Sequence, residues 1–251
     1  MISRRNLLAA SAPATLALGG CVTATPEPST PLANSTDFGF IGPNDDPHFS
    51  STGSSITAAG SGASRHDEVA TAFRLLWDSP RTTDHMSIAQ YFENLATTNP
   101  NELDLAGNEA RYNEEWRGRA NPLITGLFSM TNTLPSSGDE TPWCAAFVSF
   151  ILYAAGKPNM FSALSGSYRH YLAETTTPVL GDIVVFEKYG SLGARGFGHV
   201  GFYVTENQYT VTVLGGNQRT GTGSTGAVTS TVYAKTGKTQ KLHSYRSVPA
   251  G

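Results

Sequence analysis

Two stretches in the first half of the chain repeat apolar residues every three or four positions. Residues 65–77 and residues 83–95 both show this spacing, which is typical of an amphipathic helix with one buried face. A charged stretch, residues 108–119, and a weaker one, residues 161–173, are also predicted to be helical. These helices flank a segment that is far more apolar than any of them.

That segment is residues 141–156, in which almost every residue is apolar. Thr141 is a typical N-cap, and Pro142 suits the first helical position because the N–H that it lacks has no partner there in any helix. Gly156 is a typical helix stop. We therefore predict one helix that is buried on most of its sides, not along a single stripe.

Five runs in the second half are rich in β-branched and aromatic residues, which predicts β-strands. They are residues 183–186, 199–204, 209–214, 227–233 and 241–246. In the second run, the alternation of a strand places His199 and Tyr203 on one face. Helices followed by antiparallel strands indicate an α+β fold.

The beginning of the chain is typical of an export signal. Arg4 and Arg5 precede a short apolar run, as in a twin-arginine signal peptide, which we place at residues 1–20. The run ends in a sequence like a lipobox, so Cys21 is expected to carry a lipid that anchors the protein to a membrane. The expected location is the periplasm or the cell envelope. The alternative is a soluble exported protein that is cleaved elsewhere. Residues 21–64 are rich in Pro, Ser, Thr and Gly and are predicted to be a disordered tether.

The charge pattern argues against nucleic acid as a partner. The chain has 17 Lys and Arg against 20 Asp and Glu, a formal net charge of −3. Loss of the signal removes Arg4 and Arg5, so the charge falls to −5, and no basic cluster is left. Proteins that bind nucleic acid present basic patches, so neither nucleic acid nor electrostatic membrane binding is expected.

Cys144 is the candidate nucleophile. It lies in the first turn of the predicted helix, where the positive end of the helix dipole lowers a thiol pKa and favours the thiolate. The chain has 2 Cys, and if Cys21 carries a lipid, Cys144 has no disulfide partner. Such a thiol in an exported protein indicates reactivity. The competing interpretation is an inert buried cysteine that acts as a small hydrophobic residue.

A thiol nucleophile needs a base, and a third group that orients the base. His199 is the best candidate base because it begins a strand between small residues that leave room for a substrate. His170 and His243 are weaker candidates. Asn217, in a turn after the neighbouring strand, is a candidate third group, and ordinary turn chemistry is its alternative. No metal and no cofactor is implied.

Four motifs occur along the chain in the order found in the NlpC/P60 and CHAP cysteine peptidases. They are TPWCAAFV at residues 141–148, GDIVVF at 181–186, GHVGFY at 198–203 and VLGGNQ at 213–218. Residues 113–249 therefore resemble this superfamily, and most closely a CHAP-like group of small bacterial and phage proteins. The resemblance implies a papain-like α+β core in which the cysteine helix packs on an antiparallel sheet.

The resemblance also implies an activity, the hydrolysis of amide bonds in peptidoglycan. Carried over to this sequence, it makes Cys144 the nucleophile and His199 the general base and acid. The third position falls on Asn217, and Gln218 is its adjacent alternative. The residues expected to bind substrate are Trp143, Tyr203 and Gln218, with a core position as the alternative for the two aromatic residues.

The sequence therefore predicts a signal peptide (1–20), a tether (21–64), a helical extension (65–112) and a catalytic domain (113–251). The predicted protein is a cell-wall hydrolase, either an endopeptidase or an N-acetylmuramoyl-L-alanine amidase. Two alternatives stay open. One is a thiol acyltransferase, in which an amine takes the place of water. The other is a non-catalytic envelope lipoprotein that binds peptidoglycan or a partner.

Overall fold

The computed structural model describes residues 66–95, 111–116, 118–219 and 225–250. In these residues the chain forms α1 (His66–Trp77), α2 (His85–Asn94), α3 (Pro122–Leu127), α4 (Cys144–Ala154) and α5 (Gly190–Ala194). The strands are β1 (Ala173–Thr175), β2 (Ile183–Lys188), β3 (Gly198–Glu206), β4 (Thr210–Gln218), β5 (Ala227–Ala234) and β6 (Gln240–Ser247). Short 3₁₀ helices occur at Phe128–Met130, Gly138–Glu140 and Ser165–His170.

The six strands form one antiparallel sheet in the order β1-β6-β2-β3-β4-β5. β2, β3 and β4 follow one another in sequence and lie side by side. β6 comes last in the sequence, yet it lies between β1 and β2 and pairs with both. The sheet and the helices confirm the predicted α+β class, and the arrangement is consistent with a papain-like fold.

The main core lies between the helices and one face of the sheet. Phe92 of α2 meets Phe147 of α4 edge-on with ring centroids 6.3 Å apart. Phe147 in turn lies 6.4 Å from Phe202 of β3. Ala72 of α1 belongs to the same buried cluster. α1 and α2 therefore extend the core of the sheet and the cysteine helix.

A second, smaller hydrophobic cluster is formed by every other residue of the strands. Its buried members are Val184, Phe186, Val211, Val213 and Tyr245, with Tyr203, Tyr233 and Leu242 packed against them. Because neighbouring residues of a strand point to opposite faces, this cluster covers the sheet face away from the main core. Both faces of the central strands are therefore buried, as their continuous β-branched sequence indicates.

Most of the predicted elements are confirmed. α1 and α2 match the two amphipathic stretches, and Asp84 caps α2 by accepting a hydrogen bond from the Met86 N–H at 3.0 Å. β2 to β6 match the five predicted strands, with β4 continuing four residues further to Gln218. The α3 and α5 helices and the short β1 strand were not predicted.

The predicted helix at residues 108–119 is wrong where the structure describes it. Residues 111–116 form a turn followed by an isolated bridge between Glu114 and Ala227. Val228 donates its N–H to the Asn113 carbonyl at 2.7 Å, and Glu115 donates its N–H to the Gly226 carbonyl at 2.9 Å. Pairing with the edge strand β5 therefore takes the backbone groups that a helix would use.

The predicted helix at residues 161–173 is reduced to the 3₁₀ helix Ser165–His170. Phe161 and Leu172, which bound this segment, both have positive φ, at 52° and 64°. A positive φ is incompatible with a right-handed helix, so the segment is limited at both ends.

The cysteine helix begins two residues later than predicted. Trp143, not Thr141, is the N-cap of α4, and Cys144 is the first helical residue. The Thr141 hydroxyl instead accepts a hydrogen bond from the Ser137 N–H at 3.2 Å. The predicted stop is confirmed, because Gly156 has a φ of 65° and donates its N–H to the Tyr153 carbonyl at 2.9 Å.

The predicted signal peptide, the lipobox with Cys21 and the tether lie outside the described residues. Within the described part of the chain, no helix is both long and apolar enough to span a membrane.

Candidate active site

Cys144 lies at the N-terminus of the most buried helix in the structure. Only 5 % of its surface is exposed, and it forms no disulfide with any described residue. The N-cap Trp143 makes no side-chain hydrogen bond to the first turn. The amide groups at this end therefore have no side-chain cap, and they supply positive potential next to the thiol.

The start of α4 is fixed by a glycine of β4. A Cβ atom added to Gly216 would lie 2.4 Å from a ring carbon of Trp143 and 2.7 Å from Cβ of Phe147. Only a glycine leaves the strand backbone close enough for both side chains to pack directly on it. The Gly-Gly sequence of β4 therefore sets the distance between the sheet and the residues around Cys144.

His199, at the start of β3, is almost fully buried, at 1 % exposed. Its ring packs 5.1 Å from that of Tyr233 and 6.5 Å from that of its cross-strand neighbour Phe186. His199 thus packs beside the second cluster, whereas Cys144 belongs to the main core. Contact between the thiol and the imidazole stays a prediction.

Gln218 fixes the orientation and the tautomer of His199. Oε1 of Gln218 lies 2.9 Å from Nε2 of His199. The Gln218 Nε2 donates to the carbonyl of Val213 at 3.0 Å and to that of Thr229. Since the amide nitrogen is used as a donor, Oε1 accepts, and the His199 Nε2 must carry the proton. Nδ1 of His199 then keeps the lone pair that a general base needs.

A β-bulge brings Gln218 to this place. In the pairing of β4 with β5, Gly215 is opposite Thr229 and Gln218 is opposite Ala227, so β4 contains one extra residue. Asn217 takes up the irregularity with a φ of 56°, a conformation that asparagine tolerates better than most residues. The bulge places Gln218, instead of Asn217, on the sheet face of Gly215.

Asn217 points elsewhere. A Cβ atom added to Gly226 would lie 2.4 Å from Oδ1 of Asn217 and 2.5 Å from Oε1 of Glu115. The Asn217 amide therefore lies near the start of β5, close to the Glu115 carboxyl group. The structure thus brings Gln218 to His199 and Asn217 to Glu115.

The two aromatic residues expected to bind substrate are held by protein contacts. Trp143 is fully buried, and its Nε1 donates to Oε1 of Glu115 at 3.1 Å. Tyr203 is half-buried and lies 5.8 Å from Tyr245, ring to ring. Substrate contact by either residue stays a prediction.

Three carboxyl groups lie close enough for their charges to interact, and we call Glu115, Asp139 and Glu140 the acidic group. Burial raises the pKa of Glu115 to about 8, that of Asp139 to about 6 and that of Glu140 to about 7. The charge of Asp139 adds to the shift of both glutamates. Asp139 also accepts the backbone N–H groups of Trp116 at 2.9 Å and Asn121 at 2.8 Å. The role of Glu115 was not predicted, because no sequence spacing links it to Trp143.

Tyr168 lies on another side of α4. Its hydroxyl shares a 2.8 Å hydrogen bond with the Ser149 hydroxyl, and it is fully buried. Burial raises the pKa of Tyr168, and the negative charge of a Cys144 thiolate contributes to that shift. Tyr168 therefore stays protonated and is close enough to respond to the charge of Cys144.

The described residues contain no group of three or more His, Cys, Asp or Glu side chains arranged to hold a metal ion. A thiol at a helix N-terminus, an imidazole bonded to an amide side chain and backbone amide groups are present among the described residues. This set is the one used in acyl transfer through a thioester.

Comparison with protein-family models matches residues 136–217 to the CHAP domain. Residues 136–217 are therefore similar to a CHAP domain. This confirms the predicted kinship with the CHAP and NlpC/P60 superfamily of cysteine peptidases and amidases. CHAP domains are of the peptidoglycan-hydrolase type and generally depend on a cysteine. No curated protein and no solved structure gives a significant match.

The CHAP match contains Cys144, His199 and Asn217 and ends one residue before Gln218. Helices α1, α2 and α3 precede the match, and strands β5 and β6 follow it. Glu115 and Gln218, which contact Trp143 and His199, are therefore supplied from outside the matched residues of the CHAP domain.

Proposed function

We propose that this protein is a cysteine hydrolase that cleaves amide bonds of peptidoglycan. Cys144 is the nucleophile, His199 is the general base and acid, and Gln218 orients the imidazole. The observation that carries the proposal is the position of Cys144: it is the first residue of a buried helix within a CHAP match. The hydrogen bond from His199 to Gln218 supports the role of the imidazole.

In the first half of the reaction, Nδ1 of His199 takes the thiol proton, and the Cys144 sulfur attacks the carbonyl carbon of the scissile amide. The bond between that carbon and the amide nitrogen then breaks, and His199 returns the proton to the leaving amine. The product on the enzyme is a thioester. In the second half, His199 takes a proton from water as the water oxygen bonds to the thioester carbon. The bond between that carbon and the Cys144 sulfur then breaks, His199 returns the proton to the sulfur, and the carboxylic acid product loses its proton to the solvent.

The N-terminus of α4 supplies the electrostatic part of catalysis. The Cys144 backbone N–H lies at the positive end of the helix and suits an oxyanion that develops on the attacked carbonyl. Gln218 keeps the His199 ring from rotating and preserves the tautomer with Nδ1 unprotonated. Loss of such an orienting group leaves the base present but wrongly aligned.

Digestion of purified peptidoglycan tests the proposal. We expect new fragments from the wild-type protein and none from Cys144→Ala, with fragment masses that identify the bond cut as a sugar–peptide or a peptide–peptide amide. His199→Ala should lower the rate about 10²- to 10⁴-fold, the usual contribution of general acid–base catalysis. His243→Ala is the matched control, because His243 is a half-buried histidine of β6 whose Nδ1 bonds Ser244 at 2.9 Å.

The alternatives give different results in the same assay. Peptidoglycan joined to an added amine, with little hydrolysis, would indicate a thiol acyltransferase. Co-sedimentation with peptidoglycan without any cleavage would indicate a non-catalytic binding lipoprotein. Equal digestion by wild type and Cys144→Ala would overturn the proposed nucleophile.

We further propose that the protein is exported and held at a membrane by a lipid on Cys21. The support is the twin-arginine sequence and the lipobox-like residues before Cys21. Radiolabelled fatty acid should enter the wild-type chain and not Cys21→Ser. Equal labelling of both proteins, or of neither, would overturn the proposed lipid anchor at Cys21.

A further inference from the structure

Glu115 uses both oxygens of its carboxyl group to join two separate parts of the chain. Oε1 accepts the indole N–H of Trp143 at 3.1 Å, and Oε2 accepts the backbone N–H of Gly226 at 2.7 Å. Trp143 directly precedes Cys144, and Gly226 directly precedes β5. One side chain thus connects the start of the cysteine helix to the edge of the sheet.

The backbone around Glu115 makes this side chain rigid. Residues 113–115 run antiparallel to residues 226–228, with hydrogen bonds from Val228 N to Asn113 O and from Glu115 N to Gly226 O. The Asn113 side chain adds a 3.2 Å bond to the Val228 carbonyl. Glu115 is therefore held by an added strand segment and does not sample the many rotamers of a surface glutamate.

The surroundings of Glu115 make it sensitive to protonation. The titratable groups that face it are Asp139 and Glu140, whose charges both raise its pKa. Burial is the largest cause of the rise in the Glu115 pKa to about 8. Ionisation in mildly alkaline solution would place a negative charge beside the indole of Trp143.

We propose that Glu115 is a positioning residue of the active site that holds Trp143, and through it Cys144, in the geometry required for attack. Its catalytic consequence rests on the proposed function. Glu115 thus couples a segment outside the CHAP match to the chemistry inside it.

The experiment compares Glu115→Ala, Glu115→Gln and Trp143→Phe in the full chain. Glu174→Gln is the matched control, because Glu174 is an exposed carboxylate of β1 paired with Arg246 at 3.0 Å. For each protein we would measure the unfolding midpoint, kcat and KM on peptidoglycan, and the rate of Cys144 alkylation by iodoacetamide across a range of pH. Alkylation needs no substrate, so it reports on Cys144 even if no hydrolysis is found.

We expect Glu115→Ala to lower kcat on the order of 10- to 100-fold with a much smaller change in KM, since displacement of a reacting group by about 1 Å has effects of this size. The rate of Cys144 alkylation should also change, because the Glu115 carboxyl group no longer holds the start of α4. Glu115→Gln keeps an oxygen for Trp143, so it should lose less kcat than Glu115→Ala. Trp143→Phe combined with Glu115→Ala should lose no more kcat than the more damaging of the two single variants.

Two results would overturn the proposal. One is a lowered unfolding midpoint in Glu115→Ala with wild-type kcat and an unchanged alkylation profile, which would make Glu115 a structural brace only. The other is additive losses in the double variant, which would mean that Glu115 does not act through Trp143. Failure of the wild type to hydrolyse peptidoglycan would overturn the proposed function, whereas the alkylation profiles would still decide the role of Glu115.

Discussion

At the residue scale, the Gln218 amide is a fixed support for an imidazole. Its nitrogen is committed to the carbonyls of Val213 and Thr229, and its oxygen faces Nε2 of His199. The amide is fully buried, so water does not compete for these bonds. Rotation of the His199 ring would leave a buried acceptor unpaired, which costs free energy.

Substitution of Gln218 tests this support. We expect Gln218→Ala to lower kcat about 10- to 100-fold, because His199 loses the bond that fixes its tautomer and direction. Asn217→Gly is the matched comparison, since glycine accepts the φ of 56° without strain and removes the side chain next to Gln218. A larger kcat loss in Asn217→Gly than in Gln218→Ala would return the third position to Asn217.

The sequence alone does not decide whether Asn217 or Gln218 is the partner of His199. Regular alternation along β4 places residues 215 and 217 on one face, which favours Asn217 as the partner of His199. A single extra residue in the strand exchanges the faces of 217 and 218. The sequence Gly-Gly-Asn-Gln does not indicate whether the β-bulge lies before or after residue 217.

At the element scale, the position of α4 depends on the missing side chain of Gly216. The helix places Trp143 and Phe147 directly on this residue. Its apolar sequence and its Gly156 stop are visible in the sequence. Its first residue is not, because the competing bond of Thr141 to Ser137 depends on a loop that no periodic pattern describes.

Gly216→Ala should destabilise the protein by about 1–3 kcal/mol, the usual cost of forcing a methyl group into a packed interior. The measurement is the free energy of unfolding in urea. Gly126→Ala is the control. Gly126 lies in α3, and its new Cβ would meet only Leu76 of α1, at 3.5 Å. This control variant should be neutral or stabilise by up to about 1 kcal/mol. Equal losses in both variants would contradict direct packing on Gly216.

α1 is fixed by a buried ion pair as well as by apolar contacts. Arg119 donates to Glu68 through Nε at 2.8 Å and also through Nη2, and both residues are at most 4 % exposed. We expect Arg119→Leu to cost about 3–5 kcal/mol, because it leaves a buried carboxylate without its guanidinium. The double change with Glu68→Leu should recover much of that loss in the same urea measurement. A double variant as unstable as the single one would show that packing, not charge, dominates.

At the scale of the whole molecule, the acidic group makes stability depend on pH. The pKa values of Glu115 and Glu140, about 8 and about 7 in the folded protein, lie above their ordinary value of 4.5. The folded state then binds protons more tightly than the unfolded state, so stability is greatest below the ordinary value and falls as pH rises through the folded values. Burial lowers the pKa of His85 and His243, which acts in the opposite direction below their ordinary value of 6.5.

We therefore expect the unfolding midpoint to decrease between about pH 6.5 and pH 8.5, where the two glutamates lose their protons and the histidines no longer titrate. Glu115→Gln should make this decrease smaller, because the neutral amide has no proton to lose. Glu174→Gln should leave it as in the wild type. A midpoint that does not change over this range would show that the acidic group is already ionised in the folded protein at neutral pH.

Much of the architecture follows from local patterns, and the rest depends on contacts between distant segments. Short windows of sequence contain the amphipathic spacing of α1 and α2. They also contain the β-branched runs of β2 to β6. The 111–116 segment has the composition of a helix, yet it pairs with the start of β5 more than a hundred residues away. Such pairing has no signal in a window of ten to twenty residues, and the role of Glu115 depends on it.

The place of β6 in the sheet has a consequence for the order of synthesis. β6 follows β1 to β5 along the chain, yet it inserts between β1 and β2, so the sheet cannot close until residues 240–247 have been synthesised. Long-range pairing of this kind slows folding, and until it is complete β2 has an unpaired edge that favours aggregation. Damage to β6, far in sequence from Cys144, would therefore open the sheet at β2, beside the strand that bears His199.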